Sequence, residues 1–183
     1  MPKQGTLARD RMLEALDHLD GLLEKRVTLI IGGGGAMVLA HQFPLVTEDI
    51  DAIPKGMDLN EIDSLIKRVA QELSLPPDWL NPYFSTFTHT LPSDYGDRLI
   101  SVYAGKNLAA LALSKEELLI MKCFAHRQKD VPHSKALIEK GAEVEFVEKH
   151  LDSLLEENVP GSQEALDFLD DVLDQMPGSG EPN

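Results

Sequence analysis

Asp49 and Asp51, in the string "TEDIDAI", are the side chains in this sequence best spaced to hold a cation. On an extended segment residues i and i+2 face the same side, so both carboxylates project together while Ile50 turns inward. Adjacent negative charges repel unless a cation sits between them. Mg²⁺ suits such a pair, because it takes few protein carboxylates and completes its octahedron with water and phosphate oxygens. Upstream, Gly32, Gly33, Gly34 and Gly35 follow the apolar run "RVTLII". Consecutive glycines let backbone N–H groups approach an anion and enter left-handed conformations. A helix starting near Gly35 would add the positive end of its dipole. The common glycine fingerprints fail: Met37 or Val38 stands where a dinucleotide motif needs its third glycine, and no Lys-Ser/Thr pair follows as in a P-loop. Taken singly, the glycines also fit a tight strand-to-helix turn, and D-x-D also fits a solvated strand end.

The elements that must position these residues follow from periodicity. Leu7, Met12, Leu16, Leu19 and Leu23 predict a helix over 7–24. "RVTLII" predicts a buried strand, "AMVLAHQF" a short helix ended by Pro44, and "DIDAIP" a second strand. "MDLNEIDSLIKRVAQEL" predicts a helix opened by Asp58 and Glu61 in capping-box spacing. Residues 75–96 read as a long irregular loop or a loop with short strands, whose aromatics either stack on a base or pack the loop down. "RLISVYAG" and "LAALAL" predict one or two further strands. "SKEELLIMKCFAHRQKD" predicts a helix starting at Ser114 and Glu117, on which Lys122, His126, Lys129 and Asp130 fall in about a 100° sector. Three more helical segments and a frayed tail complete the chain.

Strand, glycine turn, short helix and a strand bearing D-x-D together place a phosphate cradle beside a metal site. The string "IIGGGGAMVLAHQFPLVTEDIDAI" resembles the G-G…T-x-D-I-D signature of polymerase-β-like nucleotidyltransferases. More narrowly, it looks like the bacterial minimal and AbiEii-like toxin nucleotidyltransferases. Their later L-L-x-x-K-x-x-A-x-R-x-x-D helix is matched by "LLIMKCFAHRQKD", with Lys122, Ala125, Arg127 and Asp130 in place. The resemblance covers roughly residues 28 to 135. It implies an α/β (α+β) nucleotidyltransferase fold, with a small mixed sheet flanked by helices and a helical C-terminal part. The expected division is a core over 1–113, helices over 114–177 and a disordered tail over 178–183.

The resemblance also implies a nucleoside triphosphate substrate and Mg²⁺ or Mn²⁺ as cofactor. Asp49 and Asp51 would hold the metal, and Gly32, Gly33, Gly34, Gly35, Thr47, Lys122 and Arg127 would bind the nucleotide. Asp49, Asp51, Lys122 and Asp130 would be catalytic, Asp130 as a third carboxylate or proton acceptor. The acceptor would be a tRNA-like RNA end or a protein hydroxyl, in a toxin–antitoxin or phage-defence setting with a cognate antitoxin as partner. The sequence departs from the family pattern at three places. "RLISVYAG" carries no third strand carboxylate, and Asp97 is the nearest substitute; His133 stands where a second acid often follows Asp130; and His41 occupies the region of a frequent arginine.

Bulk properties exclude several other classes. No apolar stretch reaches transmembrane length, and the charged N-terminus lacks a signal-peptide core. Cys123 is the single cysteine, so an intrachain disulfide is excluded, and these features together point to the cytoplasm. The six histidines show no zinc-binding spacing, and no nucleophile elbow is present. The net charge of −14 is concentrated at the C-terminus, where residues 141–183 hold 12 acids and one lysine. Residues 1–140 hold 19 acids and 16 bases, which leaves room for an RNA acceptor. The rival reading is a catalytically degenerate module that docks a basic protein through its acidic C-terminal helices.

Overall fold

The computed structural model describes residues 6–178. Contacts divide the chain into two compact units: one runs to Thr86 and takes in Gly96–Ser114, the other holds Phe87–Tyr95 and everything from Lys115 onward. The expected tail at 178–183 lies, Gly178 apart, outside the described residues. Among the described residues, no helix is long and apolar enough to cross a membrane.

The first unit opens with α1 (Arg9–Leu22), which buries Met12, Ala15, Leu16 and Leu19 at helical spacing. Leu7, expected in that helix, instead forms a β-bridge with Thr47. β1 (Val27–Ile31) is almost wholly buried, as its unbroken apolar run requires. α2 (Gly33–His41) follows directly, ending at Gln42 in the left-handed region with φ 57°. Arg9 Nη1 donates to the carbonyls of Val38 and Leu39 near that end, at 3.3 and 2.7 Å. β2 (Ile50–Pro54) carries Asp51, with Asp49 just before it.

The capping box read at Asp58 and Glu61 is present, at the head of a 3₁₀ turn (Leu59–Ile62) that leads into α3 (Asp63–Leu73). The irregular 75–96 stretch holds the two-residue strand β3 (Leu80–Asn81), and Tyr83–Thr90 and Tyr95–Arg98 are 3₁₀ turns. Trp79 anchors this stretch: it is fully buried, and its Nε1 donates to Ile66 O at 2.9 Å. β4 (Ile100–Ala104) and β5 (Leu108–Ala112) close the unit. The sheet runs β3-β2-β1-β5-β4, with β1–β5 and β2–β3 parallel and the other pairs antiparallel. This mixed five-stranded sheet with flanking helices is the fold expected of a nucleotidyltransferase.

The second unit is helical: α4 (Lys115–Ala125), α5 (Asp130–Glu139), α6 (Val144–Glu156) and α7 (Ser162–Asp174). Here the structure corrects the sequence reading. The single helix expected over 114–130 ends at Ala125, and His126 turns the chain with φ 36°. Lys122 and Asp130 therefore sit on two helices, and no continuous polar stripe exists. The reason is in the packing, since Lys122 is buried and its partner must return from a second element to meet it.

Asp20, near the end of α1, fixes the β4–β5 turn by accepting backbone N–H bonds from Lys106, Asn107 and Leu108 at 3.1, 2.7 and 2.5 Å. Partial burial acts to raise its pKa, but these three donors outweigh burial and hold it below the ordinary carboxylate value. A depressed pKa contributes stability that is present above the unfolded value and lost as pH falls through the folded one. Asp20→Ala should cost about 1–2 kcal/mol in urea denaturation at pH 7, the lower part of the range for lost hydrogen bonds because the turn is open to water. The deficit should shrink below about pH 4, where the unfolded carboxyl protonates.

Candidate functional site

The glycine turn and the D-x-D pair meet in the first unit. Gly32 N donates to Asp51 O at 2.9 Å, continuing the β1–β2 pairing into the turn. Three of the four glycines already belong to α2, which starts two residues earlier than the position expected near Gly35. Gly33 has φ +56°, and a Cβ built there would collide with the Asp51 carboxylate. A Cβ at Gly34 would lie 2.5 Å from Thr47 Cγ2, and one at Gly35 3.3 Å from both Ile31 and Ile50. The glycines therefore make room for the head of β2. The N-terminal backbone of α2 at Gly33, the positive end of the helix dipole, lies close to the Asp51 carboxylate.

Asp49, Asp51, Gly33, Gly34 and Thr47 are all half-buried. Thr47 Oγ1 donates to Asp49 O at 2.6 Å and so fixes the approach to β2. A third side chain joins them, one that the sequence reading missed. Asn81 pairs with Asp51 across β2–β3, and its Nδ2 donates to Asp49 Oδ2 at 2.8 Å. The strand beside D-x-D is thus β3, and the position facing the pair is an amide. Asp97, the substitute considered from sequence, precedes β4 at the opposite edge of the sheet. No sequence signal marked Asn81, because a strand of two residues between prolines has no readable period.

Among the described residues, no group of three or more His, Cys, Asp or Glu side chains converges as a metal cage. The donors present still fit a hard divalent cation. Two carboxylates and an amide oxygen are the ligand type that Mg²⁺ and Mn²⁺ accept, with water and substrate filling the remaining positions.

Lys122, Arg127 and Asp130 come together in the second unit. Asp130 is 1% exposed and accepts from Lys122 Nζ at 3.2 Å, from Arg127 Nε and Nη2 at 2.7 and 3.2 Å, and from Arg127 N at 3.2 Å. Burial acts to raise the Asp130 pKa, but the Arg127 bonds and the Lys122 charge prevail and hold it low. Lys122 is lowered by burial despite its Asp130 partner. Its Nζ also meets His133 Nδ1 at 3.3 Å; an ammonium only donates, so the neutral imidazole carries its proton on Nε2. Burial and the Lys122 charge together lower the His133 pKa. Arg127 and His126 line a cavity of about 450 Å³ with Pro132 and Phe168. Cys123 is buried, which raises its thiol pKa to about 12 and leaves it inert as a nucleophile.

Two outcomes are expected from this geometry. Gly33→Ala should cost about 1–2 kcal/mol from the left-handed backbone alone, and should displace the Asp51 carboxylate, read as loss of Mn²⁺ binding in a fold that circular dichroism shows to be retained. The second concerns acid. With His133 and Asp130 both depressed, the unfolded chain binds protons first, so stability falls as pH drops below about 6.5 for His133 and below about 4 for Asp130. His133→Gln should flatten the upper part of that decline in denaturation midpoints measured from pH 8 to 5.

Comparison with known proteins agrees with the fold. No curated protein and no solved structure matches the chain. A family model described as a nucleotidyltransferase of unknown function (DUF6036) matches residues 10–160, which take in the glycine turn, D-x-D, Asn81 and the Lys122–Asp130 cluster. With most of its length matched, the chain belongs to this family of nucleotidyltransferases.

Proposed function

We propose that the protein transfers a nucleoside monophosphate from a nucleoside triphosphate to a hydroxyl group, with Mg²⁺ or Mn²⁺ held by Asp49 and Asp51. One observation carries this reading: the Asp51 carboxylate occupies the space a side chain at Gly33 would need, so the carboxylates and the phosphate-type turn form one site. When bound, the cation neutralises charge at the transferring phosphoryl group. The glycine turn at the head of α2 would receive the triphosphate, and Thr47 fixes the neighbouring approach to β2 through its bond to Asp49 O. Asn81 orients Asp49.

In the second unit, Asp130 holds Lys122 and Arg127 in fixed geometry. Arg127 is the accessible member, 43% exposed, while Lys122 is buried against Asp130. On the resemblance to the AbiEii-like toxins, the acceptor is an RNA end or a protein hydroxyl, and a cognate antitoxin is the partner.

The test is incubation with each α-labelled nucleoside triphosphate, Mg²⁺, and either total tRNA or cell extract. Labelled product is expected, falling by about 10²-fold or more in Asp49→Ala and Asp51→Ala as preorganised charge at the transferring group is lost. Equal product from the double variant, or none from the native chain across all four nucleotides, would refute catalysis at this site. Retention of a basic protein by a chain indifferent to nucleotide would favour the degenerate docking module.

A further inference from the structure

A cavity of about 440 Å³ lies within the first unit, and Asn81, whose side chain bonds Asp49, forms part of its wall. Leu59, Ile66, Leu80 and Pro82 make an apolar floor, while Asn60, Asp63, Lys67 and Asp78 supply polar groups. The volume is that of a small-ligand pocket, and a few polar groups over an apolar floor give such pockets their specificity. Its position relative to the turn is fixed by strand order. The glycine turn extends β1, and Gly32 bonds Asp51 from that side; β3, with Asn81, flanks β2 on the other. The carboxylates divide accordingly, Asp51 lying against Gly33 and Asp49 tied to Asn81.

We infer that this cavity is the acceptor subsite, and that it takes a hydroxyl carried next to a positive charge. The inference rests on the proposed transfer reaction. In phosphoryl transfer the entering and leaving oxygens lie roughly in line, on opposite sides of the phosphorus. With the leaving pyrophosphate directed to the glycine turn, the entering hydroxyl comes from the β3 side, where the cavity lies. The acceptor oxygen bonds to the α-phosphorus, the bond from that phosphorus to the pyrophosphate oxygen breaks, and pyrophosphate leaves. The hydroxyl proton passes to solvent water.

The charge of the acceptor follows from the walls. Asp63 and Asp78 outnumber Lys67, which is already paired with Asp63 at 2.6 Å, and Asp49 adds a further negative charge beyond Asn81. Field of this sign disfavours a polyanionic acceptor and attracts an ammonium or guanidinium. A free hydroxylated amine and a serine flanked by lysines offer the same chemistry.

The test compares acceptors of opposite charge, each with a free hydroxyl: glucosamine, glucose and glucuronic acid, and the peptides Lys-Ser-Lys and Glu-Ser-Glu. Binding is read by NMR line broadening with Mg²⁺ and a non-hydrolysable triphosphate present, and transfer by label incorporation. Mg²⁺–nucleotide affinity is measured separately by calorimetry. The cationic member of at least one series should bind and accept label at least about tenfold better than its anionic member, as expected for desolvated charges at contact distance. Which series responds identifies a free amine or a peptide as the source. Asp78→Lys and Asn60→Trp, both at exposed rim positions, should abolish acceptor binding while leaving nucleotide affinity within about twofold, since nucleotide and acceptor subsites are distinct. Lys67→Glu should improve acceptor binding.

Unchanged acceptor binding in the rim variants, parallel loss of nucleotide affinity, no preference for charge, or label passing only to tRNA would each overturn the inference and leave the transferase reading intact. A native chain that binds no Mg²⁺–nucleotide would overturn both.

Discussion

Where β1 runs into α2, the backbone passes so close to β2 that Gly33 and Gly34 have no room for side chains, because the Asp51 carboxylate and the Thr47 methyl group occupy that space. This close passage couples the two halves of the candidate site. The Gly32 N–H bond to Asp51 O sets the register, and Ile31 and Ile50 pack beneath Gly35. Thr47 bonds both Leu7 and Asp49, so the approach to the carboxylates is held from two directions. A loose turn would leave two acidic side chains free to separate. The packed junction holds one of them against Gly33 and aligns the other through Asn81. Their mutual repulsion is thereby contained before any cation arrives.

The second unit solves a different electrostatic problem. A lysine 7% exposed and an aspartate 1% exposed would each be costly alone. Together, with Arg127 closing the far side of the carboxylate, they form a satisfied cluster across the α4–α5 turn. Asp130 also stands in the first turn of α5, where a negative charge is favoured by the helix dipole. The turn at His126 serves this cluster: without the break in the helix, Lys122 and Asp130 would be eight residues apart along one rod, beyond side-chain reach.

Much of the fold was legible because its signals are local. The apolar run of β1, the Asp58–Glu61 capping box and the paired strands before α4 each declare themselves within a few residues. The spacing of glycines and D-x-D was also readable, and the structure supplies the reason for it in the contact between Gly33 and Asp51. What the sequence hid depends on tertiary structure. The break at His126 is invisible to periodicity, since "LLIMKCFAHRQKD" reads as continuous helix and carries neither Gly nor Pro. Asn81 is set beside Asp49 by a two-residue strand whose existence depends on Trp79 being buried under α3. Leu7 continues a helical stripe in sequence, yet its backbone is used to pair with Thr47.

The amide at position 81 bears on how charge is handled when a nucleotide binds. Two adjacent carboxylates repel a free triphosphate, and the N–H groups of one short helix offset only part of that repulsion. A third carboxylate at Asn81 would deepen the repulsion in the absence of metal. The amide instead neutralises part of the Asp49 charge by hydrogen bonding and adds none of its own. On the proposed reading, a divalent cation bound between Asp49 and Asp51 cancels the negative charge that the triphosphate would otherwise meet. Metal and nucleotide are then coupled ligands, each raising the affinity of the other by the same factor. The strength of that coupling is set by how much negative charge the site holds without its cation, and Asn81 keeps it to two carboxylates.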